Sequence, residues 1–414
     1  MVIFSLIFSM AVILFLVSKK VNIGYSLMIG AALLAILNGK KPNYILQTFI
    51  ETIKEPKTIT LAITIGFITI LGHLMDKYGI LDRMVIALEK MLGSAKITIL
   101  ISPAIIGTLL VTGGALMSCP VVEGLGKKLN LPEDRKAAIN LIFRHGLYFI
   151  FPLSPAVILA VELGGFNVFD FIKLQFPIAL TMYILGYIFY LKDCKQTNLS
   201  KFQLKEYLLS IKEFILYSSP ILISLLGAIL FGLPFYISLI LGILSSIFLN
   251  LYDKKTDREY HVDENLFKTI REGLKLPMVI AIIGIMIFKN IVNDINEIYM
   301  YLEGLLNKGI PLEILILASS AIISFPLAST QPGVAILYPM ILPLAPDYNT
   351  KLLYGMFIYT SSFMFYFISP LHLCQVLTLE YFKVKLKNLY KNYAYILPIT
   401  YIVMVMIYVI NNLQ

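Results

Sequence analysis

The fold is decided by two interrupted apolar stretches, ITILISPAIIGTLLVTGGALMSCPVVEGL at 97–125 and PLEILILASSAIISFPLASTQPGVAILYPMILPLA at 311–345. Each is apolar at both ends and broken in the middle by Gly, Pro, Ser and Thr. A membrane-spanning helix needs about 20 apolar residues, so halves of roughly 12–15 residues are too short to cross. We therefore predict two re-entrant hairpins, with tips surrounded by protein or by a wet cavity.

The composition indicates a polytopic membrane protein. Of the 414 residues, 58% are apolar and 14% are charged, whereas soluble domains average about 45–50% and about 25%. This excess of apolar residues cannot be hidden in one globular core. A soluble enzyme, a nucleic-acid-binding domain and a disulfide scaffold are all disfavoured. The three cysteines lie far apart and form no metal-binding pattern: Cys119, Cys194 and Cys374.

Ten further segments are apolar enough to be predicted as crossings: 2–17, 22–38, 58–75, 138–162, 168–191, 213–230, 233–251, 275–293, 352–379 and 392–411. With ten crossings and two hairpins, most of the 34 basic residues fall on one face. That face is predicted to be cytoplasmic, which leaves both termini outside the cell. Three amphipathic segments are expected along the interface: 43–57, 78–96 and 294–308.

The two halves of the chain repeat the same order of three spans, a hairpin and two spans. We predict a first repeat at 1–192, a cytoplasmic linker at 193–212 and a second repeat at 213–414. Because each half has an odd number of crossings, the second repeat is inverted. Inverted repeats with broken helices and a midplane site are typical of secondary transporters.

Each repeat also carries a Ser-Pro pair inside a span, Ser154-Pro155 in 138–162 and Ser369-Pro370 in 352–379. Proline stops one helix and is favoured at the start of the next, with serine as its N-cap. Two half-helices whose positive ends suit an anion are therefore predicted; the alternative is a proline kink without a ligand. Together with the hairpin tips, the predicted substrate-binding residues are Thr112, Gly113, Gly114, Ser118, Ser154, Ser329, Thr330, Gln331, Gly333, Ser369 and His372.

Three other ionisable residues near the spans each have two interpretations. Arg144 either pairs with an anionic substrate or extends to the lipid headgroups. His145, like His372, either carries a coupling proton or makes a buried structural hydrogen bond. Glu123 either takes part in substrate or proton binding or pairs with Lys127 one turn later.

This arrangement resembles the ion transporter superfamily, which includes divalent-anion/sodium symporters, citrate and gluconate permeases and arsenite-pump membrane subunits. More narrowly, the chain is similar to a prokaryotic membrane family, the domain of unknown function 401. The resemblance covers nearly the whole chain and implies an elevator mechanism and an anionic substrate moved with sodium or protons. The Ser-Asn-Thr tips of the dicarboxylate branch are absent, and the tips here read Thr112-Gly113-Gly114 and Ser329-Thr330-Gln331. Dicarboxylate specificity therefore does not carry over.

The sequence thus predicts an all-α transporter of the cell membrane for a small anion. A channel of similar fold and a membrane-embedded enzyme are the alternatives, although the H-E-x-x-H and G-x-S-x-G motifs of such enzymes are missing. We expect no enzymatic activity, no cofactor other than a sodium ion near the hairpin tips, and no tightly bound metal. The expected partners are the solute, the lipid bilayer and, by analogy with elevator relatives, a second copy, but no nucleic acid.

Overall fold

The computed structural model describes residues 2–108, 114–195, 204–255 and 265–412. Within these ranges the chain is helical and forms no strand, which confirms the all-α prediction. Ten helices make up the first half: α1 Val2–Ser18, α2 Ile23–Leu37, α3 Pro42–Lys54, α4 Pro56–Lys77, α5 Ile80–Leu92, α6 Ala95–Gly107, α7 Gly114–Lys128, α8 Glu133–Gly146, α9 Pro155–Gly164 and α10 Val168–Tyr190.

The second half contributes eleven helices within the same described ranges. They are α11 Leu204–Leu230, α12 Phe235–Lys255, α13 Leu266–Gly273, α14 Leu276–Asn293, α15 Asn296–Asn307, α16 Leu312–Leu327, α17 Thr330–Ile341, α18 Tyr348–Phe367, α19 Leu373–Phe382, α20 Leu386–Tyr393 and α21 Ile396–Asn412. Short 3-10 turns follow α8, at Leu147–Phe149, and α17, at Leu342–Leu344.

Five of the described helices, α4, α10, α11, α12 and α14, are long and apolar enough to cross a membrane. A sixth crossing results if α20 and α21, which meet at a 40° bend, are counted as one span. The predicted spans 2–17 and 22–38 form apolar helices of 17 and 15 residues, shorter than an ordinary crossing. The chain is a multi-pass membrane protein.

The helices α2 and α14 cross with their backbones in contact. A Cβ atom on Gly24 would lie 2.8 Å from the Ala281 Cα, and one on Gly284 would lie 2.7 Å from the Gly24 carbonyl carbon. Small residues permit such close approach in membranes, where there is no hydrophobic force between helices. Around this crossing, α1 packs on α2, α4 on both α12 and α14, and α11 on α12. We call α1, α2, α4, α11, α12 and α14 the scaffold helices.

The other helices surround the two interrupted stretches. In the first half α6, α7 and α8 pack on one another, and in the second half α16, α17 and α18 do the same. The halves interlock, because α17 packs on α9 and α7 packs on α19, while α10 lies against α21. Aromatic side chains fill this core; Phe149 and Phe363, for example, have ring centroids 4.3 Å apart.

Both spans with Ser-Pro pairs are broken, as predicted. The first break separates α8 from α9, which begins at Pro155 with Ser154 as its N-cap. The second break separates α18 from α19, but here the predicted position is wrong, since α19 begins at Leu373 with His372 as its N-cap. Ser369 instead organises a turn ahead of the helix: its Oγ accepts the Leu371 N–H at 3.2 Å, and its carbonyl accepts the His372 N–H at 3.0 Å.

Each interrupted stretch contains two helices. In the second, α16 ends at Leu327, Ala328 takes a left-handed conformation at φ 47°, and Ser329 is the N-cap of α17. In the first, α6 ends at Gly107 and α7 begins at Gly114. Thr112 and Gly113 lie outside the described residues.

A loop reverses the chain after α17 and leads into α18. The Asp347 carboxylate caps α18 by accepting the Thr350 N–H at 2.9 Å and the Thr350 hydroxyl at 2.7 Å. These bonds, the backbone one first, hold the pKa of Asp347 below its ordinary value. This capping fixes where α18 starts.

The predicted amphipathic segments are helices α3, α5 and α15. However, α5 does more than lie along an interface, because its apolar face is buried against α6 and α11. Segments expected to be loops contain two further amphipathic helices, α13 and α20, and α11 begins at Leu204, within the predicted linker.

Candidate functional site

A cavity of about 290 Å³ separates the tip between α16 and α17 from the scaffold helices. The tip contributes Ser329, Gln331 and Pro332, and α9 contributes Pro155. The opposite wall comes from the residues before α2 and from α4 and α14: Asn22, Ile65, Pro277, Ala281, Ile282 and Ile285. Two residues predicted from sequence, Ser329 and Gln331, therefore lie in one cavity beside the start of the first half-helix.

Two helix N-termini border this cavity, those of α9 and α17. Pro155 is the first residue of α9, and Gln331 is the second residue of α17. Neither N-cap serine accepts a backbone N–H of its own helix through its side chain; the Ser329 Oγ instead donates to the Gln331 Oε1 at 3.4 Å. The first N–H groups of a helix have no partner within the helix and carry a partial positive charge. The cavity thus combines two positive helix ends with a hydroxyl and an amide.

Asn22 forms the scaffold side of the cavity and was missed by sequence reasoning. Its Nδ2 donates to the Pro277 carbonyl at 2.9 Å, and its Oδ1 accepts the Gly24 N–H at 2.8 Å. It therefore caps α2 and ties it to the start of α14. The available signal was an N-cap residue between two apolar spans, but nothing in the sequence places it opposite Gln331.

A second polar group lies where α8 ends and α19 begins. His145 and His372 are buried, with ring centroids 4.8 Å apart. His145 donates from Nδ1 to the Leu141 carbonyl at 2.8 Å, and the Tyr366 hydroxyl bonds to the His372 Nε2 at 2.8 Å. The His145 Nε2 is buried without a hydrogen-bond partner in the described part of the chain. The structural alternative for each histidine is therefore supported, and one imidazole nitrogen stays available.

One ligand atom each from His145, His372 and Cys374 lies within 4.8 Å of the others. Imidazole and thiolate are ligands of zinc and copper. Sequence reasoning missed this set, because His145 lies in the first half of the chain whereas His372 and Cys374 lie in the second. The charge of Arg144, close enough to interact with both imidazoles, disfavours a dication there.

Arg144 is only 2% exposed, which argues against the interpretation that it extends to the headgroups. It lies against the end of α6, where a Cβ on Gly107 would be 2.8 Å from the Arg144 Cγ. The guanidinium group therefore belongs to the interior, beside the first interrupted stretch.

A comparison with family models matches residues 1–411 to one described as Protein of unknown function (DUF401). The chain belongs to this family. Among solved structures, the YdaH transporter of Alcanivorax borkumensis is similar, with a TM-score of 0.59 and 13% identity over 90% of this chain and 88% of that one. Its report describes an unusual topology. No curated protein matches the sequence.

The other predicted residues that the structure describes in this DUF401 protein do not line the cavity. Ser118 is buried and donates to the Ala115 carbonyl at 3.2 Å. Gly333 is packed so that a Cβ would lie 2.5 Å from the Ser324 Oγ, and Thr330 is buried beside it. Glu123 pairs with Lys127, the contact expected in the pairing alternative, and accepts the Tyr381 hydroxyl at 2.6 Å. Gly114 begins α7, and Ser369 forms the turn described above.

A buried network that sequence reasoning missed joins α7, α8 and α19. The Asn140 Nδ2 donates to the Thr378 Oγ1 at 3.0 Å and lies 3.4 Å from the Cys119 Sγ. Its residues lie in different halves of the chain, so no spacing rule groups them. In this family member the network joins one interrupted stretch to the half-helix of the opposite half.

Proposed function

We propose that this DUF401 protein is a secondary transporter that moves a small anionic solute across the cell membrane, coupled to sodium or protons, by an elevator mechanism. The observation that carries the proposal is the cavity between the α16–α17 tip and the scaffold. A cavity at a broken helix, enclosed by apolar spans, is where transporters of this type bind solutes.

The chemistry of the cavity favours an anion. Among the described residues its lining includes no carboxylate, and the polar atoms come from Asn22, Ser329 and Gln331 together with the starts of α9 and α17. Backbone N–H groups at a helix start bind carboxylate or phosphate oxygens. A solute that fills about 290 Å³ is small.

The inverted repeat is supported by matched helix packing. If α1–α10 correspond to α11–α21, the packing of α2 on α14 has its counterpart in α12 on α4. Likewise α17 on α9 matches α7 on α19, and α6 on α8 matches α16 on α18. We propose repeats at 1–192 and 213–414, joined through 193–212.

An elevator movement suits the position of the cavity. The tip and α9 belong to the interlocked part of the protein, whereas Asn22 and Pro277 belong to the scaffold. A solute bound at this boundary moves across the membrane if the interlocked part slides along the scaffold.

Binding of the correct solute should raise the melting temperature of the purified protein, because a ligand of the folded state stabilises it by mass action. A solute at about 100 times its Kd contributes roughly 2.7 kcal/mol. We would screen small carboxylates, phosphate, sulfate and oxyanions, each with and without sodium and at two pH values.

The variants Ser154→Ala and Ser329→Ala, which change the N-cap residues of the two helices that border the cavity, should weaken binding of the identified solute more than they lower stability, because loss of an N-cap typically costs about 1 kcal/mol. Ser246→Ala, which removes a buried hydroxyl bonded to the Gly242 carbonyl, is the matched control. If both variants bind normally, the site is misplaced. Flux that neither saturates with solute concentration nor depends on an ion gradient would indicate a channel.

The two tips should be reachable from opposite sides of the membrane. Cysteines introduced as Thr108→Cys and Gln331→Cys, in a background without native cysteines, should react with an impermeant maleimide from the cytoplasm and from outside, respectively. The reason is that an odd number of crossings inverts the second repeat. Reaction of both cysteines from one side would contradict the inverted repeat and the placement of both termini outside.

A further inference from the structure

An apolar groove of about 460 Å³ lies at the 40° bend between α20 and α21. Leu317 and Phe325 of α16 form one wall, and Met364 of α18 and Ile368, which follows α18, form the base. The other wall comes from α20 and α21, with Tyr390 and Leu397 among others. The groove is open to the surroundings of the protein along α16, since Leu317 and Phe325 of this short apolar helix are 38% and 39% exposed.

One end of this groove is basic. The segment KVKLKNLYK at 383–391 carries four exposed lysines, none of which forms an ion pair within the described residues. Lys387 precedes the groove-lining Tyr390 by three residues and therefore shares its side of α20. Lys391 is the residue that follows Tyr390 in α20. The Asp134 carboxylate also contacts α20, where it accepts a hydrogen bond from the Asn392 Nδ2 at 3.0 Å. Asn392 does not line the groove, so this carboxylate is not part of the groove lining.

The same end holds a buried donor. Tyr393 lines the groove and is 3% exposed, and its hydroxyl has no hydrogen-bond partner in the described part of the chain. The neighbouring Tyr390 hydroxyl is satisfied, because it donates to the Ile368 carbonyl. A buried hydroxyl without a partner costs free energy, and an oxygen-rich group at the groove end relieves that cost.

We propose that the groove binds an acyl chain of an anionic phospholipid, with the phosphate against Lys387 and Lys391 and an ester oxygen near Tyr393. Lipid tails are the apolar molecules that surround these helices, and basic clusters beside membrane helices attract anionic headgroups. The sequence places α20 on the basic face predicted to be cytoplasmic. The groove is separate from the solute cavity, so this proposal stands independently of the transport function.

Native mass spectrometry of the full chain in detergent, titrated with phosphatidylglycerol or phosphatidylcholine of equal chain length, tests the proposal. Phosphatidylglycerol should bind at least about tenfold more tightly, since each lysine near a headgroup contributes measurably to the attraction. The double variant Lys387→Gln/Lys391→Gln should remove this preference. Lys19→Gln/Lys20→Gln, which removes two exposed lysines of the same predicted face, should not.

Ala394→Trp, which fills the groove, should lower the binding of both lipids while the melting temperature shows that the chain still folds. Equal affinity for the two lipids, or a preference retained in the Lys387→Gln/Lys391→Gln variant, would overturn the proposal. So would a dimer that Ala394→Trp dissociates without loss of bound lipid, because the groove would then hold a second copy.

Discussion

Replacing Asp253 by Asn is expected to destabilise the folded protein by about 3–5 kcal/mol, because it leaves the buried Arg83 without its counter-charge. Asp253 is fully buried near the end of α12, and Arg83 of α5 is 7% exposed. Their side chains form an ion pair. Removing one partner of a buried pair is costly, even though the intact pair adds little net stability.

The neighbours of this pair explain why it has a single geometry. The Arg83 Nε donates to the Gly79 carbonyl at 3.0 Å, and its guanidinium lies 4.5 Å from the ring centroid of Tyr217 in α11. The Tyr217 hydroxyl donates to Asp253 at 3.3 Å. The pair therefore attaches α5 to both α11 and α12, and its loss should loosen the scaffold.

The measurement is the free energy of unfolding in detergent, by denaturant titration of each variant. Arg83→Met/Asp253→Leu should recover most of the loss, because it removes both charges together. Lys268→Met, which breaks an exposed 3.9 Å pair with Glu272, should change stability by less than about 1 kcal/mol. An Asp253→Asn variant as stable as the wild type would show that Arg83 gains enough from its other contacts.

The features of the fold that could be predicted from sequence are those that depend on the backbone preferences of residues close together in the chain. Glycine, proline and hydroxyl residues interrupt 97–125 and 311–345, and the helices end and restart there. Ser154-Pro155 starts α9 for the same reason. At the second Ser-Pro pair the predicted helix start is three residues too early. Ser369 caps a turn, and His372 is the N-cap residue of α19.

The parts that could not be predicted depend on contacts between distant residues. Asn22 meets the start of α14 only because glycines let α2 and α14 cross closely. His145 meets His372 only because α8 packs against α19. Within the candidate site, the sequence therefore identified Ser329 and Gln331 from the tip, but not the wall opposite them.

Solute uptake into proteoliposomes is expected to follow a sodium gradient at fixed pH. A tenfold inward sodium gradient drives about tenfold accumulation for each coupled ion, because each tenfold ratio is worth about 1.4 kcal/mol. Replacing sodium by choline should abolish the accumulation while binding of a radiolabelled solute persists weakly. Potassium in place of sodium on both sides is the control for ionic strength.

The physical reason for sodium is the set of oxygen ligands near the tip. Ser329, Gln331 and the carbonyls released at the α16–α17 break are neutral oxygen donors, which suit sodium at an unwound helix. A proton needs a titratable carrier, and of the three carriers predicted from sequence His145 and His372 are buried, whereas Glu123 is paired with Lys127. Sodium-driven uptake should therefore survive in His145→Gln and His372→Gln. The opposite result would be that sodium has no effect, while a pH gradient drives an uptake that both variants lose. Coupling would then be by protons, with the His145 Nε2 as the proton acceptor.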